Sequence, residues 1–448
     1  MAIITQETEN EKCKIKDISN FSNNFKLSKI LEQSNIRKAK GVGVLTVFLN
    51  LLTVGFSIKS LNQLIEERDM GGKKDVFYRF INSTSANWYR FIRQLFTVLL
   101  SAMMQISTPP EKLVLILDDT LYKRDRSKKV ELLTKVRDHN DGRYYRGFRC
   151  LTLGCHDGNT FLPSDYRILS SQNEKSRVNQ TCSEIDKRSV GYKIRQDSME
   201  SSFDMAWDMI KKQSSPARHV LFDSWFSQPV MFRKLREMDL HGIGMLKANK
   251  GVMCRFKGKT YSLKNLYSQV KSLMQNDDDF VSVGVELLDG TPFSVTFVRD
   301  KNSKRGWLAI GTTDMSLSSK QVISLYSRRW NIEVFFKTVK SFLGFAKDFQ
   351  SRTFDSVVCS VAVAFTRYMI LAWVNNGLPK LETYGQLFFR FFAQMHEYSF
   401  EDALNIVIRE FKNVVVQFDV SLELSVKDFI CRLPSHFKPL ELLLSCET

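Results

Sequence analysis

Two aspartates in this chain each follow a short apolar run: Asp118 comes after Leu113-Val114-Leu115-Ile116-Leu117, and Asp223 after Val220-Leu221-Phe222. Short continuous apolar runs read as buried central strands. Ligands of open α/β sheets bind beyond strand ends, so the two carboxylates are expected to face one crevice. Carboxylates brought together repel unless a cation joins them. No clustered His or Cys accompanies them, and oxygen-only ligands suit Mg²⁺ or Mn²⁺, which take phosphate oxygens as further ligands.

A third carboxylate lies in YSRRWNIEVFFKTVK, where Tyr326, Arg329, Glu333 and Lys340 are separated by three, four and seven residues. Ser318 and Ser319 are good N-cap residues, and a single helix is expected from about Lys320 to Leu343. On such a helix the four residues fall within an arc of roughly 60°. One face then carries a phenol, a guanidinium, a carboxylate and an ammonium, a metal ligand flanked by phosphate-binding groups. The alternative is a solvated face on which Glu333 pairs with Arg329 or Lys337 at helical spacing.

The elements that must position these groups change character along the chain. Residues 1–108 read as helical, with segments at Val42–Phe56, Ile58–Arg68, Asp75–Ile81 and Ala86–Met104. The last two flank the turn Asn82-Ser83-Thr84-Ser85, and the second carries Arg90 and Arg93, as either a DNA-binding helix-turn-helix or a plain helical hairpin would. The first aspartate's strand is expected to end at Asp118-Asp119-Thr120. A hairpin follows, Phe148–His156 and Thr160–Leu169 about the turn Asp157-Gly158-Asn159. The polar stretch Ser170–Gln196 reads as a long functional or solvated loop. Beyond it come a helix (198–212), the strand His219–Phe222, a helix (227–238) and the strand His241–Leu246, the order of a mixed sheet with helices on its faces. Strands at Phe280–Leu288, Pro292–Val298 and Trp307–Gly311 form a β-rich insertion, and helices are expected from Ser356 almost to the C-terminus.

Composition narrows the partners. Of 448 residues 43% are hydrophobic, enough for a sizeable core, and Lys and Arg outnumber Asp and Glu by 65 to 48, a net charge of +17. Such an excess favours a polyanion, nucleic acid before an anionic membrane. The eight cysteines include no CxxC pair, so neither a disulfide framework nor a zinc ribbon is expected, and Cys150, Cys155 and His156 lack a second ligand pair at zinc spacing. The polar start MAIITQETENEKCK does not read as a signal peptide, and no export is expected. Two apolar segments, Gly41–Phe56 and Val357–Val374, read as buried helices: the first is too short to span a bilayer and the second carries Arg367. A cytoplasmic protein without a membrane partner is expected.

The spacing of Tyr326, Arg329, Glu333 and Lys340 resembles the signature of cut-and-paste transposases from the fourth family of bacterial insertion sequences. The resemblance extends through DDTLYKRDRSKKVELL, RGFRCLTLGCHDGNTFLPSDYRILSS and VLFDSWFS. It implies an α/β fold with an RNase H-like mixed-sheet catalytic core, interrupted by a β-stranded insertion between the second Asp and the Glu. A helical N-terminal domain and a helical C-terminal tail complete it. The corresponding divisions are 1–108 (DNA-binding), 109–249 (core), 250–312 (insertion), 313–380 (core with the signature helix) and 381–448 (tail). The spacings from Asp118 to Asp223 and on to Glu333, 105 and 110 residues, leave room for that order.

Carried onto this sequence, the resemblance makes Asp118, Asp223 and Glu333 the catalytic and metal-binding triad. Asp119 is the alternative first ligand, because neighbours on a strand point opposite ways and only one should bind metal. It implies two Mg²⁺ per site, with Mn²⁺ able to substitute, and Tyr326, Arg329 and Lys340 as groups that hold and position DNA. Trp307 resembles the aromatic that stacks on a flipped base, a buried core indole being the alternative. The partners implied are double-stranded DNA, as terminal inverted repeats and as target, and a second copy of the chain in a synaptic complex, with cleavage through a hairpin. A hydrolytic nuclease of the same fold and a catalytically idle DNA-binding descendant are the rival readings.

Overall fold

The computed structural model describes residues 16–395 except 39, 58, 68–71, 107–111, 139–140, 182–184, 248–251, 274–278, 300–305, 350 and 380. The chain divides into two units, Met1–Arg390 and Phe391–Thr448. The first unit holds the whole sheet and the helices that cover it, and most of the expected C-terminal tail lies outside the described residues.

The N-terminal part is helical as expected: α1 (Lys16–Asn24), α2 (Leu27–Gln33), α3 (Val44–Val54), α4 (Leu61–Glu67), α5 (Lys74–Ile81) and α6 (Trp88–Ile106). The cap of α6 is Asn87, whose side-chain oxygen accepts from Arg90 N–H. This helix packs on the sheet described below. Its Tyr89 ring meets Tyr166 edge-on and its Arg93 bonds Asp165 at 2.9 Å, so Arg93 is engaged inside the protein.

The sheet begins with β1 (Val114–Lys123), β2 (Thr134–Arg137), β3 (Tyr144–His156) and β4 (Phe161–Leu169), and continues after two helices with β5 (His219–Phe222) and β6 (His241–Leu246). β3 pairs antiparallel with β1 along one edge and with β2 and β4 along the other, while β1, β5 and β6 run parallel. The order β4-β3-β1-β5-β6 is that of the expected mixed-sheet core. All nine residues of β4 are buried, which requires cover on both faces. Contrary to expectation, β1 does not end at Asp118: its pairing with β5 stops at Leu117–Phe222, but its pairing with β3 continues to Lys123. Asp118 therefore sits where one of its strand's two neighbours leaves.

The stretch 170–196, read as a loop, contains a helix, α7 (Val190–Asp197), capped by Ser189, whose hydroxyl accepts from Tyr192 N–H. Helices α8 (Ser202–Lys212) and α9 (Pro229–Arg236) then flank β5. The β-rich segment comprises β7 (Met253–Phe256), β8 (Lys259–Ser262), α10 (Leu263–Val270), β9 (Phe280–Leu287), β10 (Pro292–Arg299) and β11 (Trp307–Thr312). It is continuous with the core, because β11 pairs antiparallel with β6 and so extends one sheet to eleven strands.

The expected single helix at 320–343 is two: α11 (Ser319–Ser327) and α12 (Trp330–Ser341). Between them Arg328, Arg329, Asn331 and Ile332 each donate their N–H three residues back, a tight 3₁₀-type turn of the kind found at strained or functional points of helices. The last long element, α13 (Phe354–Asn376), is apolar enough and long enough to cross a membrane, yet 89% of its most apolar window is buried within the protein. Its Arg367, wholly inaccessible, donates to the Leu51, Leu52 and Leu343 carbonyls and pairs with Asp348. That satisfies the buried cation by hydrogen bonds and by one opposite charge.

Candidate active site

β1 and β5 set the first two carboxylates side by side. The parallel register aligns Leu117 with Phe222, so Asp118, still on β1, and Asp223, just after β5, are the residues that follow the aligned pair. Asp118 is 8% exposed. Asp223 opens the turn after β5, where its Oδ1 accepts from the backbone N–H of Trp225 (3.0 Å) and of Phe226 (3.4 Å). The third carboxylate, Glu333, lies in the first turn of α12, a helix that packs on β1. All three line one cavity of about 400 Å³, together with Asp119, Arg329, Lys340 and Trp225.

Arg329, at the turn between α11 and α12, bonds Asp118 Oδ2 at 2.7 Å and Glu333 Oε1 at 3.4 Å through one guanidinium nitrogen. Burial raises the Asp118 carboxyl well above the usual carboxylate range, and the negative charges of Asp223 and Glu333 add to it, against the pull of Arg329. At this point one guanidinium faces three carboxylates, while Lys337, Lys340, Arg137 and Arg149 line the surrounding wall; carboxylates gathered this closely favour a cation between them.

Asp119 and Asp118 differ as expected of strand neighbours. Asp119 points to Arg149 of β3, at 2.6 Å, whereas the carboxyl of Asp118 feels Asp223, Arg329 and Glu333. Lys340 donates to the Thr120 hydroxyl at 2.5 Å and loses some proton affinity through burial. The Tyr326 phenol belongs to α11, yet still senses the site. Burial pushes it up to about 12, with Arg329 opposing and Asp223 and Asp118 adding.

Trp307 is placed elsewhere. It is half-buried at the start of β11, stacked on Tyr267 at 4.9 Å and edge-on to Phe297 at 5.2 Å, and does not line the cavity. Two lining residues have weak signals in the sequence. Arg149 is brought to Asp119 by the β1–β3 register, for which no local spacing stands. Trp225, half exposed, carries the signal of a large aromatic two residues after a candidate ligand.

The donor set fits a hard divalent ion by chemistry, since it offers carboxylate oxygens only. Among the described residues, no three His, Cys, Asp or Glu side chains are gathered tightly enough to hold a metal ion as they stand, so the fit is one of donor type and charge. The family comparison falls on the same strands. The model of the DDE superfamily endonucleases matches residues 29–259, just over half of the chain, and the chain belongs to that family. The matched span includes Asp118 and Asp223 and ends before Glu333. No curated protein matches the chain. Endonucleases of this superfamily generally use divalent metal ions and act on DNA.

Proposed function

We propose that the protein is a cut-and-paste DNA transposase in which Asp118, Asp223 and Glu333 hold two Mg²⁺ ions, Mn²⁺ substituting. The observation that carries this reading is the meeting, in one cavity, of three carboxylates from β1, the end of β5 and α12. The bound ions would activate a water or a DNA 3′-hydroxyl and steady the leaving oxygen of an in-line displacement at phosphorus.

The chain's own groups do the rest. Arg329 offers a guanidinium beside the carboxylates to grip phosphate oxygens. Lys340, held by Thr120, supplies a second fixed cation, and the Tyr326 phenol, kept neutral, donates or accepts a hydrogen bond without adding charge. Terminal inverted repeats, a hairpin intermediate and a synaptic pair of protomers belong to this proposal, as do DNA binding by residues 1–108 and a cytoplasmic location; base stacking by Trp307 would require its indole to leave Tyr267.

The test is incubation of the purified protein with Mg²⁺ and labelled DNA carrying the ends of the flanking element, comparing wild type with Glu333→Ala. Hairpin or joined products lost in the variant support transposition. Plain nicks lost in the variant mean a hydrolytic nuclease, and DNA binding without Glu333-dependent cleavage overturns the enzymatic reading.

A further inference from the structure

Beside the catalytic cavity the β1–β3 ribbon carries far more positive charge than the fold can use. Residues 123–149 contain ten Lys and Arg against four Asp and Glu. Three of the ten are held by carbonyls or a carboxylate: Arg124 reaches the carbonyls of Ala346, Phe349 and Ser351, Arg146 that of Ser127, and Arg149 the Asp119 carboxylate, while Lys123 also lies 3.4 Å from the centre of the Tyr145 ring. The other seven, Lys123, Arg126, Lys128, Lys129, Lys135, Arg137 and Arg143, are exposed. Among the described residues none of these seven is in an ion pair.

The acids of the same segment do little to neutralise them. Glu131 is buried with Arg195. Asp125 accepts from Arg146 N–H, and Asp141 from Arg143 N–H and from the Tyr145 hydroxyl, so both are engaged in turns. Asp138 lines the catalytic cavity, where its charge acts on Lys340. The register even sets Lys135 directly opposite Arg146, a like-charge pair that costs stability on an antiparallel ribbon. The ribbon is nonetheless firmly attached. Asn179 donates to the Lys128 and Val130 carbonyls, and Glu131 N–H to Arg352 O.

A rigid, self-repelling cationic surface is the footprint of a polyanion. Arg137 both belongs to this surface and lines the catalytic cavity, so the track leads into the site. We infer that the outer surface of residues 123–138 is the seat of a DNA duplex arm, contacting its phosphates and delivering the strand to the carboxylates. The inference rests on the proposed action on DNA and names the surface that would carry it.

The test uses the full chain with Arg126→Glu, Lys128→Glu and Lys129→Glu combined, none of which lines the cavity, and a labelled duplex of arbitrary sequence read by fluorescence anisotropy across a salt series. The control combines Lys259→Glu, Lys264→Glu and Lys271→Glu, the same change in net charge on exposed lysines of the insertion. The ribbon variant is expected to bind about 30-fold more weakly at low salt, with a log–log salt slope shallower by about 2 to 3 units, since each phosphate contact contributes about 0.9. The control should stay near wild type. A set of glutamine substitutions at the same three ribbon positions, with a smaller loss, guards against misfolding.

Equal losses in ribbon and control variants, or wild-type affinity in the ribbon variant, overturn the inference. So does a ribbon variant that loses binding to phosphatidylserine vesicles but not to duplex. Glu333-dependent cleavage with an unaltered ribbon-variant affinity sinks this inference alone. Ribbon-dependent binding without any cleavage sinks the proposed activity alone.

Discussion

The Arg195 and Arg329 clusters each set one arginine against two carboxylates, and they resolve the charge differently. In the first, Arg195 of α7 meets Glu131 through two nitrogens at 2.6 and 2.7 Å and Asp355 through two at 3.1 and 2.5 Å, and adds the Gly191 carbonyl at 2.8 Å. All three side chains are at most 7% exposed. In the second, Arg329 uses one nitrogen, at 2.7 Å to Asp118 and 3.4 Å to Glu333, while Asp223 and an open cavity stand beside it. A buried ion cluster survives in a low-dielectric interior only when its donors and acceptors are matched in number and geometry. The Arg195 cluster meets that condition and ties α7, the 131 turn and the start of α13 together. The Arg329 cluster does not, and under the proposed function its surplus of carboxylate is what a divalent cation would neutralise before an anionic phosphodiester approaches.

The comparison breaks most directly by removing one member from each cluster. Asp118→Asn, Asp223→Asn or Glu333→Gln should lower metal-dependent DNA cleavage by about 10³-fold or more, roughly 4 kcal/mol of barrier. Thermal midpoints should be unchanged or higher, because each change relieves repulsion. A midpoint lowered as much as by a core mutation would place the carboxylate in the structural class. Conversely, Arg195→Met should cost about 3–5 kcal/mol in urea unfolding by leaving two buried carboxylates without their partner. A loss under about 1 kcal/mol would show that the match is not what holds this cluster.

His156 sharpens the contrast, since burial is met there by neutrality. Its Nδ1 accepts from Gly158 N–H, and burial depresses the imidazole to about 4. A folded value below the unfolded one means stability that is present above about pH 6.5 and lost as pH falls towards 4, about 2 kcal/mol between pH 7 and 5. Urea unfolding of wild type should show that loss and His156→Gln should lack it. Equal slopes would remove His156 as the cause. The smallest effect expected is Ser189→Ala, which deletes the cap of the helix bearing Arg195 and should cost about 1 kcal/mol. Cleavage at saturating DNA should be unchanged, and a loss of cleavage rate would mean that the two clusters are coupled.

Much of the fold is legible locally. β5 and β6 lie at the expected residues, because short apolar runs bounded by polar turns have few other uses. The placement of Asp118 and Asp223 just past the β1–β5 pairing follows from the same runs. The elements that differ from expectation depend on partners distant in the chain. β1 continues past Asp118 because β3 pairs with it as far as Gly147, and the polar 190–197 segment is a helix because Arg195 finds two carboxylates 64 and 160 residues away.

By itself the sequence determined which residues could do chemistry here, the two strand-associated aspartates and the glutamate of YSRRWNIEVFFKTVK, because residue type and local period are written in the chain. Tertiary structure decided how they meet. The β1–β5 register sets Asp118 beside Asp223, the turn at Arg328–Arg329 swings Tyr326 onto a separate helix, and the β11–β6 pairing fuses the insertion to the core. Strand register and helix breaks are settled by packing and hydrogen-bond satisfaction across the whole domain, and no window of sequence contains those partners together.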